Sequence, residues 1–244
     1  LKTHPPANYQ LTNNYSVSNN KPYLAIFDLD ETLIAADSAS LWSAYLVSKG
    51  IAPASLLLEE KAMMEAYAKG QMDMDAYMQT TLKPMVGMDE ITIDMLVNEF
   101  IEQHIKPALY QDAVNRITWH KRRGDTVLVI SATGEHLVKP IANLLGADDA
   151  IAINLEHIDG KFTGKTTGIL SYQYGKVIRM KAWLEQQDTA FKGSYGYSDS
   201  INDLPLLDAV DRPFAVNPDP ALALHAQMNE WTIMDWRHDN NILR

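Results

Sequence analysis

Short apolar runs separated by longer stretches of helical pattern recur from residue 23 onward, and that rhythm most restricts how the chain can fold. Runs at Tyr23–Phe27, Thr126–Ile130, Ala150–Asn154, Ser194–Tyr197 and Pro213–Val216 read as strands, with Trp231–Met234 a further edge. Val127, Leu128, Val129 and Ile130 are apolar without alternation, the pattern of a strand covered on both faces. Glu135–Leu145 and Gly175–Gln186 read as helices; in the second, Val177, Met180 and Leu184 share one stripe. Alternation of this kind predicts an α/β fold, a doubly wound, Rossmann-like parallel sheet.

One stretch departs from the rhythm. From about Ser40 to Arg116 only helical pattern is found, at Leu41–Lys49, Ala54–Lys69, Met74–Lys83 and Glu90–Ile105. Gly87 breaks the chain before the last of these, and Asp89-Glu90 can start it. The reading is an inserted all-helical subdomain over 40–116, with the α/β core built from 21–39 and 117–244. Residues 1–20 form a polar arm, lacking the basic start and apolar middle of an intact secretory signal. Asp159-Gly160, between extended segments, predicts a β-hairpin turn.

The bulk properties exclude several function classes. A net charge of −10 with no Lys/Arg-rich stripe argues against nucleic acid or an anionic membrane as partner. The absence of cysteine rules out disulfides and thiolate chemistry, and fits a reducing, cytoplasmic setting. No apolar run approaches the length of a membrane-spanning helix. The seven histidines show no metal-binding spacing.

The first strand delivers Asp28-Leu29-Asp30-Glu31-Thr32. Side chains alternate along extended chain, so Asp28 and Asp30 are expected on one side. Two close carboxylates repel, and a hard divalent cation such as Mg²⁺ relieves them. Later junctions add suitable groups. Ser131, with backbone N–H groups beside it such as that of Ala132, can hold phosphate oxygens. Lys176 supplies a cation, and Ser198-Asp199-Ser200-Ile201-Asn202-Asp203 adds carboxylates. Singly, Ser131 reads as readily as a helix cap, Lys176 as a surface lysine, and Asp199 and Asp203 as helix caps. In order, each at a strand-to-helix junction, they point to phosphoryl transfer in the crevice at the strand ends.

Phe27-Asp28-Leu29-Asp30-Glu31-Thr32-Leu33, Ile130-Ser131-Ala132-Thr133, Gly175-Lys176-Val177 and Tyr197 to Leu207 resemble the motifs of the haloacid dehalogenase superfamily of phosphohydrolases. The resemblance is to subfamily IB, the branch with phosphoserine phosphatase and relatives proposed to act on histidinol phosphate, and spans about residues 23–236. It implies an Mg²⁺-dependent phosphomonoesterase of small phosphorylated metabolites, with the helical insertion as its cap. Asp28 would be the nucleophile that forms an aspartyl-phosphate, and Asp30 the general acid and base. Asp28, Asp30 through its main-chain carbonyl, and Asp199 would hold Mg²⁺, with Asp203 in support. Ser131, Ala132, Lys176 and Asn202 would bind the phosphoryl group.

The resemblance also places an acidic residue for a substrate amine nine positions after the nucleophile, where Asp37 stands. The arginine that would bind a substrate carboxylate is missing, since no arginine precedes Arg116; Lys61 or Lys69 would be a looser substitute. An amine-bearing ester such as histidinol phosphate is therefore expected over phosphoserine. A phosphoserine phosphatase, a phosphotransferase with an acceptor other than water, and a non-catalytic phosphate-sensing domain are the alternatives. Trp42 and Tyr45 read as anchors of the first insertion helix, and the clustered methionines, Met63 to Met95, as ordinary packing.

Overall fold

The computed structural model describes residues 21–67 and 71–237. The polar arm, Lys69, His4 and His238 lie outside the described residues. Seven strands form one sheet in the order β4-β3-β2-β1-β5-β6-β7. They are β1 (Leu24–Phe27), β2 (Thr126–Gly134), β3 (Asp149–Ile158), β4 (Lys161–Thr167), β5 (Ser194–Ser198), β6 (Arg212–Val216) and β7 (Thr232–Met234). All neighbours run parallel except β3 and β4, which form the hairpin predicted at Asp159-Gly160. Both turn residues have positive φ, 52° and 73°, as a tight hairpin turn demands. The strand order reverses at β1 and β5, so the crevice between their C-terminal ends is the natural site.

The helices are α1 (Ser38–Ser48), α2 (Ser55–Tyr67), α3 (Met74–Leu82), α4 (Glu90–Phe100), α5 (Gln111–Arg122), α6 (Glu135–Leu144), α7 (Tyr174–Leu184), α8 (Leu204–Leu207) and α9 (Pro220–Met228). Local signals set several starts: Asp37, Asp73 and Asp89 each cap a helix by accepting a backbone N–H three residues on. The helix expected over Glu90–Ile105 is shorter, because it widens into a π turn at Ile101–Ile105 and tightens into a 3₁₀ turn at Lys106–Ala108. Pro107 lacks an N–H and its ring crowds the carbonyl four residues back, which disfavours a regular helix there. Helix α5 runs unbroken through positions 116 and 117, where the sequence suggested the insertion would end.

Alternate residues of β1 enter different cores. Ala25 and Phe27 pack with the cluster that includes Trp42, Tyr45 and Phe100, whereas Leu24 and Ile26 pack with Val177 and Met180. Register then places the site. Phe27 is opposite Tyr197, and Tyr197 opposite Phe214. The three rings stack with centroids 4.3 and 4.8 Å apart, an arrangement worth about 0.5–1.5 kcal/mol per pair beyond area burial. The next residues outward are Asp28 and Ser198. Below the rings, buried His120 bridges Asp125 Oδ2 and the Tyr197 hydroxyl, both at 2.9 Å.

Gly175, in the first turn of α7, has no room for a side chain, since a Cβ would lie 2.0 Å from the Leu170 carbonyl oxygen. Gly175→Ala is expected to destabilise the fold by about 1–3 kcal/mol in urea unfolding, the usual cost of overpacking. Burial holds the His120 pKa below 6.5 despite the neighbouring Asp125. As pH falls, the unfolded chain therefore takes up this proton before the folded one. The histidine's contribution is present above pH 6.5 and is lost as pH drops toward the folded value. Urea midpoints measured from about pH 8 down to 5 should fall more steeply for wild type than for His120→Asn.

Candidate active site

Beyond β1 the chain turns sharply, with Glu31 at φ 54° and the Leu33 and Ile34 amides returning to the Leu29 carbonyl. The turn separates the two carboxylates by partner while leaving both on one cavity. Asp28 Oδ1 accepts from Lys176 Nζ at 2.7 Å, and the same ammonium donates to Asp203 Oδ2 at 2.6 Å. All three side chains are buried. Ser198 Oγ also donates to Asp203 Oδ2, at 2.7 Å. Burial pushes Asp28 up to about 7, opposed by Lys176 and reinforced by the charges of Asp203 and Asp30. Burial by itself would lower Lys176, but the carboxylates of Asp203 and Asp28 outweigh it and raise its pKa, so the lysine stays charged.

Asp30 has a different set of partners. Its Oδ1 accepts the Ser38 backbone N–H at 2.7 Å, at the N-terminus of α1. Its Oδ2 accepts from Thr133 Oγ1 at 2.9 Å and Ser131 Oγ at 3.3 Å. Burial, then the nearby Asp37 charge, raise Asp30 to about 6 against the pull of these donors. Thr133 belongs to the Ile130–Thr133 motif, where the sequence assigns it no role of its own, although period two places it on the side of Ser131 in an extended chain. Strand β2 continues past Ile130 to Gly134, and its register against β3 shifts between Ile130 and Gly134. That irregularity carries Ser131, Ala132 and Thr133 into the cavity wall.

Asp199 follows β5 and approaches Asp28 across a shared hydroxyl. Thr32 Oγ1 donates to Asp199 Oδ1 at 3.1 Å and lies 3.4 Å from Asp28 Oδ2. Burial, then the charges of Asp28 and Asp203, hold Asp199 well above the ordinary carboxylate range. Among the described residues, no three His, Cys, Asp or Glu side chains are grouped to hold a metal. The Asp30 carboxylate is engaged by Ser38, Ser131 and Thr133, and that of Asp203 by Lys176 and Ser198. That leaves the carboxylates of Asp28 and Asp199 for a cation, where the resemblance implied these two with the Asp30 main-chain carbonyl, and Asp203 in support. A buried pair such as Asp28 and Asp199, both raised by burial and the second raised further by the charge of the first, fits a hard cation. Mg²⁺ commonly takes one or two carboxylates, with water and substrate phosphate completing its shell.

The cavity has a volume of about 180 Å³, and its charged lining residues are Asp28, Asp30, Glu31, Asp37 and Asp199. Lys176, Asn202 and Asp203 stand outside this lining; Asn202 is buried, its Oδ1 accepting from Gln173 Nε2 at 3.2 Å. Asp37 serves as the α1 cap, with Oδ1 2.7 Å from the Ser40 N–H, and lines the cavity as well. Its pKa is raised by burial, against the Ser40 hydrogen bond and with the help of the Glu60 charge. Glu60, which reads as one more surface acid in sequence, is 4% exposed and accepts from the Tyr77 hydroxyl at 3.3 Å. Met64, Met72 and Met74 line the cavity too, so part of the methionine cluster does more than pack. Trp42 and Tyr45 pack on Phe100 and anchor α1 as the sequence suggested.

A doubly wound sheet with paired carboxylates, a lysine and a third carboxylate at its switch point defines a phosphoryl-processing α/β hydrolase. The chain belongs to the haloacid dehalogenase-like hydrolase family, whose model matches residues 25–208. Within it the protein is a phosphatase. It is 36% identical over 222 residues to a histidinol-phosphatase of Neisseria meningitidis serogroup C, covering 88% of this chain and 99% of that one. A crystal structure of a protein of unknown function from Bordetella pertussis Tohama I is 34% identical, with a TM-score of 0.83, covering 89% of this chain and 100% of that one. The structure of a phospho-aspartyl intermediate analogue of phosphoserine phosphatase shares the fold at 20% identity, with a TM-score of 0.66 and coverage of 89% and 95%.

The crowding of Asp199 against Asp28 and Asp203, which share one lysine between them, costs stability without a further cation. Asp199→Asn is expected to raise the thermal midpoint of the metal-free protein. Mg²⁺ at about a hundred times its Kd should stabilise wild type by about 2.7 kcal/mol and the variant far less, read by unfolding with Mg²⁺ and with EDTA.

Proposed function

We propose that this phosphatase is an Mg²⁺-dependent phosphomonoesterase whose substrate is a small metabolite ester with an amine on its alcohol half, histidinol phosphate being the example. One observation carries the reading. Asp28 and Asp30 line one cavity but are held by different partners, a buried lysine for the first and a helix N-terminus with two hydroxyls for the second. Carboxylates so separated by environment suit different roles in one reaction. Helices α1 to α3 supply Ala39, Met64, Met74 and Tyr77 to the cavity wall, and we assign them the part of a cap over the sheet edge.

In this mechanism an Asp28 oxygen attacks phosphorus and the bond to the ester oxygen breaks. The departing oxygen takes a proton from Asp30. The aspartyl-phosphate so formed splits one difficult displacement into two easier ones. Asp30, now a carboxylate, removes a proton from a water that attacks phosphorus and frees Asp28 with inorganic phosphate. A group poised near pH 6 can serve as both acid and base. Ser131 Oγ, the Ala132 N–H and Lys176 bind phosphoryl oxygens, and Asn202 supports them through the α7 end. Asp28, Asp199 and the Asp30 main-chain carbonyl would hold Mg²⁺, which when bound neutralises charge on the phosphoryl oxygens. Transfer to an acceptor other than water would pass through the same aspartyl-phosphate, and product analysis separates it from hydrolysis.

The lining supports the substrate class. Its charged residues are all acidic, with Asp37 closest to the α1 end and Glu60 buried behind Tyr77. Such a wall attracts an ammonium group and repels a carboxylate, which disfavours phosphoserine. Phosphate release from a panel of esters tests both parts. Asp28→Asn is expected to lose at least about 10³-fold in kcat while remaining folded; a parental rate would end the reading. Histidinol phosphate is expected to exceed phosphoserine in kcat/KM by more than about tenfold, on the order of one charge–charge interaction. A preference for phosphoserine would refute the substrate assignment and leave the phosphatase intact.

A further inference from the structure

Among the described residues, buried side-chain nitrogen and oxygen atoms lacking a hydrogen-bond partner fall on Ser38, Trp42, Ser43 and His136. Two of these, Trp42 and His136, line one narrow recess between α1, α3 and α6. Ser38 and Ser43 line neither the recess nor the main cavity. An unsatisfied buried donor costs about 1–3 kcal/mol, so two such side chains on one hollow mark a place where something else completes them.

The recess adjoins the active-site cavity. Ala39, Tyr77 and Thr133 belong to both walls, and Thr133 donates to Asp30. Its volume is about 20 Å³ against about 180 Å³ for the main cavity. Only the polar edge of a group whose body rests in the larger space can enter. Trp42 is 3% exposed and presents Nε1–H, a donor with no acceptor capacity. His136 is partly buried, yet neither ring nitrogen is reached by solvent. Burial holds its pKa down to about 3, so the ring is neutral and offers one N–H and one lone pair. The two rings meet edge to face, with centroids 5.7 Å apart.

We propose that this recess is a specificity subsite for the far end of the alcohol half, and that it takes the edge of an uncharged nitrogen heterocycle of azole type. An azole has one ring N–H and one acceptor nitrogen. The acceptor pairs with Trp42 Nε1–H, and the N–H donates to the unprotonated nitrogen of His136, so two of the three orphaned ring nitrogens are satisfied at once. An alkyl end would leave both orphaned, and a charged end would lie unpaired beside a neutral imidazole. The proposal rests on the phosphomonoesterase reading and adds the second recognised feature of its substrate. Trp42 and His136 act here as specificity residues, apart from the groups that move protons or phosphate.

The test compares histidinol phosphate with phosphoethanolamine, which keeps the phosphate and amine but has no ring. Trp42→Phe retains an aromatic wall and removes the N–H. It is expected to lower the ratio of the two kcat/KM values about tenfold, through KM for the ring-bearing ester, and to raise the KI of free histidinol by a similar factor. His136→Leu, on another helix, should lower the same ratio, and supplies the measurement if Trp42→Phe does not fold. A ratio unchanged in both variants would overturn the subsite, with water alone filling the recess, and leave the phosphatase reading standing. Wild-type turnover of other esters but not of histidinol phosphate would also overturn it. Failure of the wild type to release phosphate from any ester would instead defeat the underlying reading, and the subsite with it.

Discussion

A single buried ammonium, that of Lys176, joins the parts of this site. It lies between Asp28 at the end of β1 and Asp203 beyond β5, reaching both from α7 at 2.7 and 2.6 Å. Removing one partner of such a buried pair commonly costs 3–5 kcal/mol, because the remaining charge is left uncompensated. The arrangement is therefore a geometric lock on three segments distant in sequence. It is also one positive charge against a larger number of negative ones, since Asp199 adds its carboxylate beside Asp28. The fold tolerates that imbalance at the site where phosphate chemistry needs it.

The other carboxylates are governed by α1. Its first N–H, from Ser38, binds Asp30, and another in the same turn, from Ser40, binds Asp37. One helix end thus orients both the aspartate proposed as acid and base and the residue proposed to meet the substrate amine. The positive end of the helix dipole partly offsets their mutual repulsion. The stacked Phe27, Tyr197 and Phe214 rings underneath fix the strand ends from which these loops depart.

Much of this was legible in the sequence, for identifiable reasons. Strand positions followed from apolar runs, and the hairpin from Asp159-Gly160, because those signals are local. Asp28, Lys176 and Asp199 were found because each sits at a strand-to-helix junction. Period two put Asp28 and Asp30 on one side, and both do face the cavity, but the turn at Glu31 sends their carboxylates to different partners. Other features depend on contacts far apart in the chain. Glu60 looks like its neighbour Glu59, and only packing against Tyr77 buries it. The irregular end of β2 has no local marker, so the bond from Thr133 to Asp30 is not legible from the motif that contains it. The unsatisfied nitrogens of Trp42 and His136 exist only once α1 and α6 meet.

The bond from Ser38 to Asp30 has a mechanical consequence. Ser38 opens the helical segment, whereas Asp30 belongs to the loop that follows the first strand. Helix α1 cannot slide away from the sheet without breaking the shortest hydrogen bond of the Asp30 carboxylate. A swing of the helical layer that kept this bond would turn about Ser38, as a door turns about its hinge pin, with the far ends of α2 and α3 travelling while Asp30 stays in place. Access for substrate and constancy of proton chemistry are then served by the same few atoms.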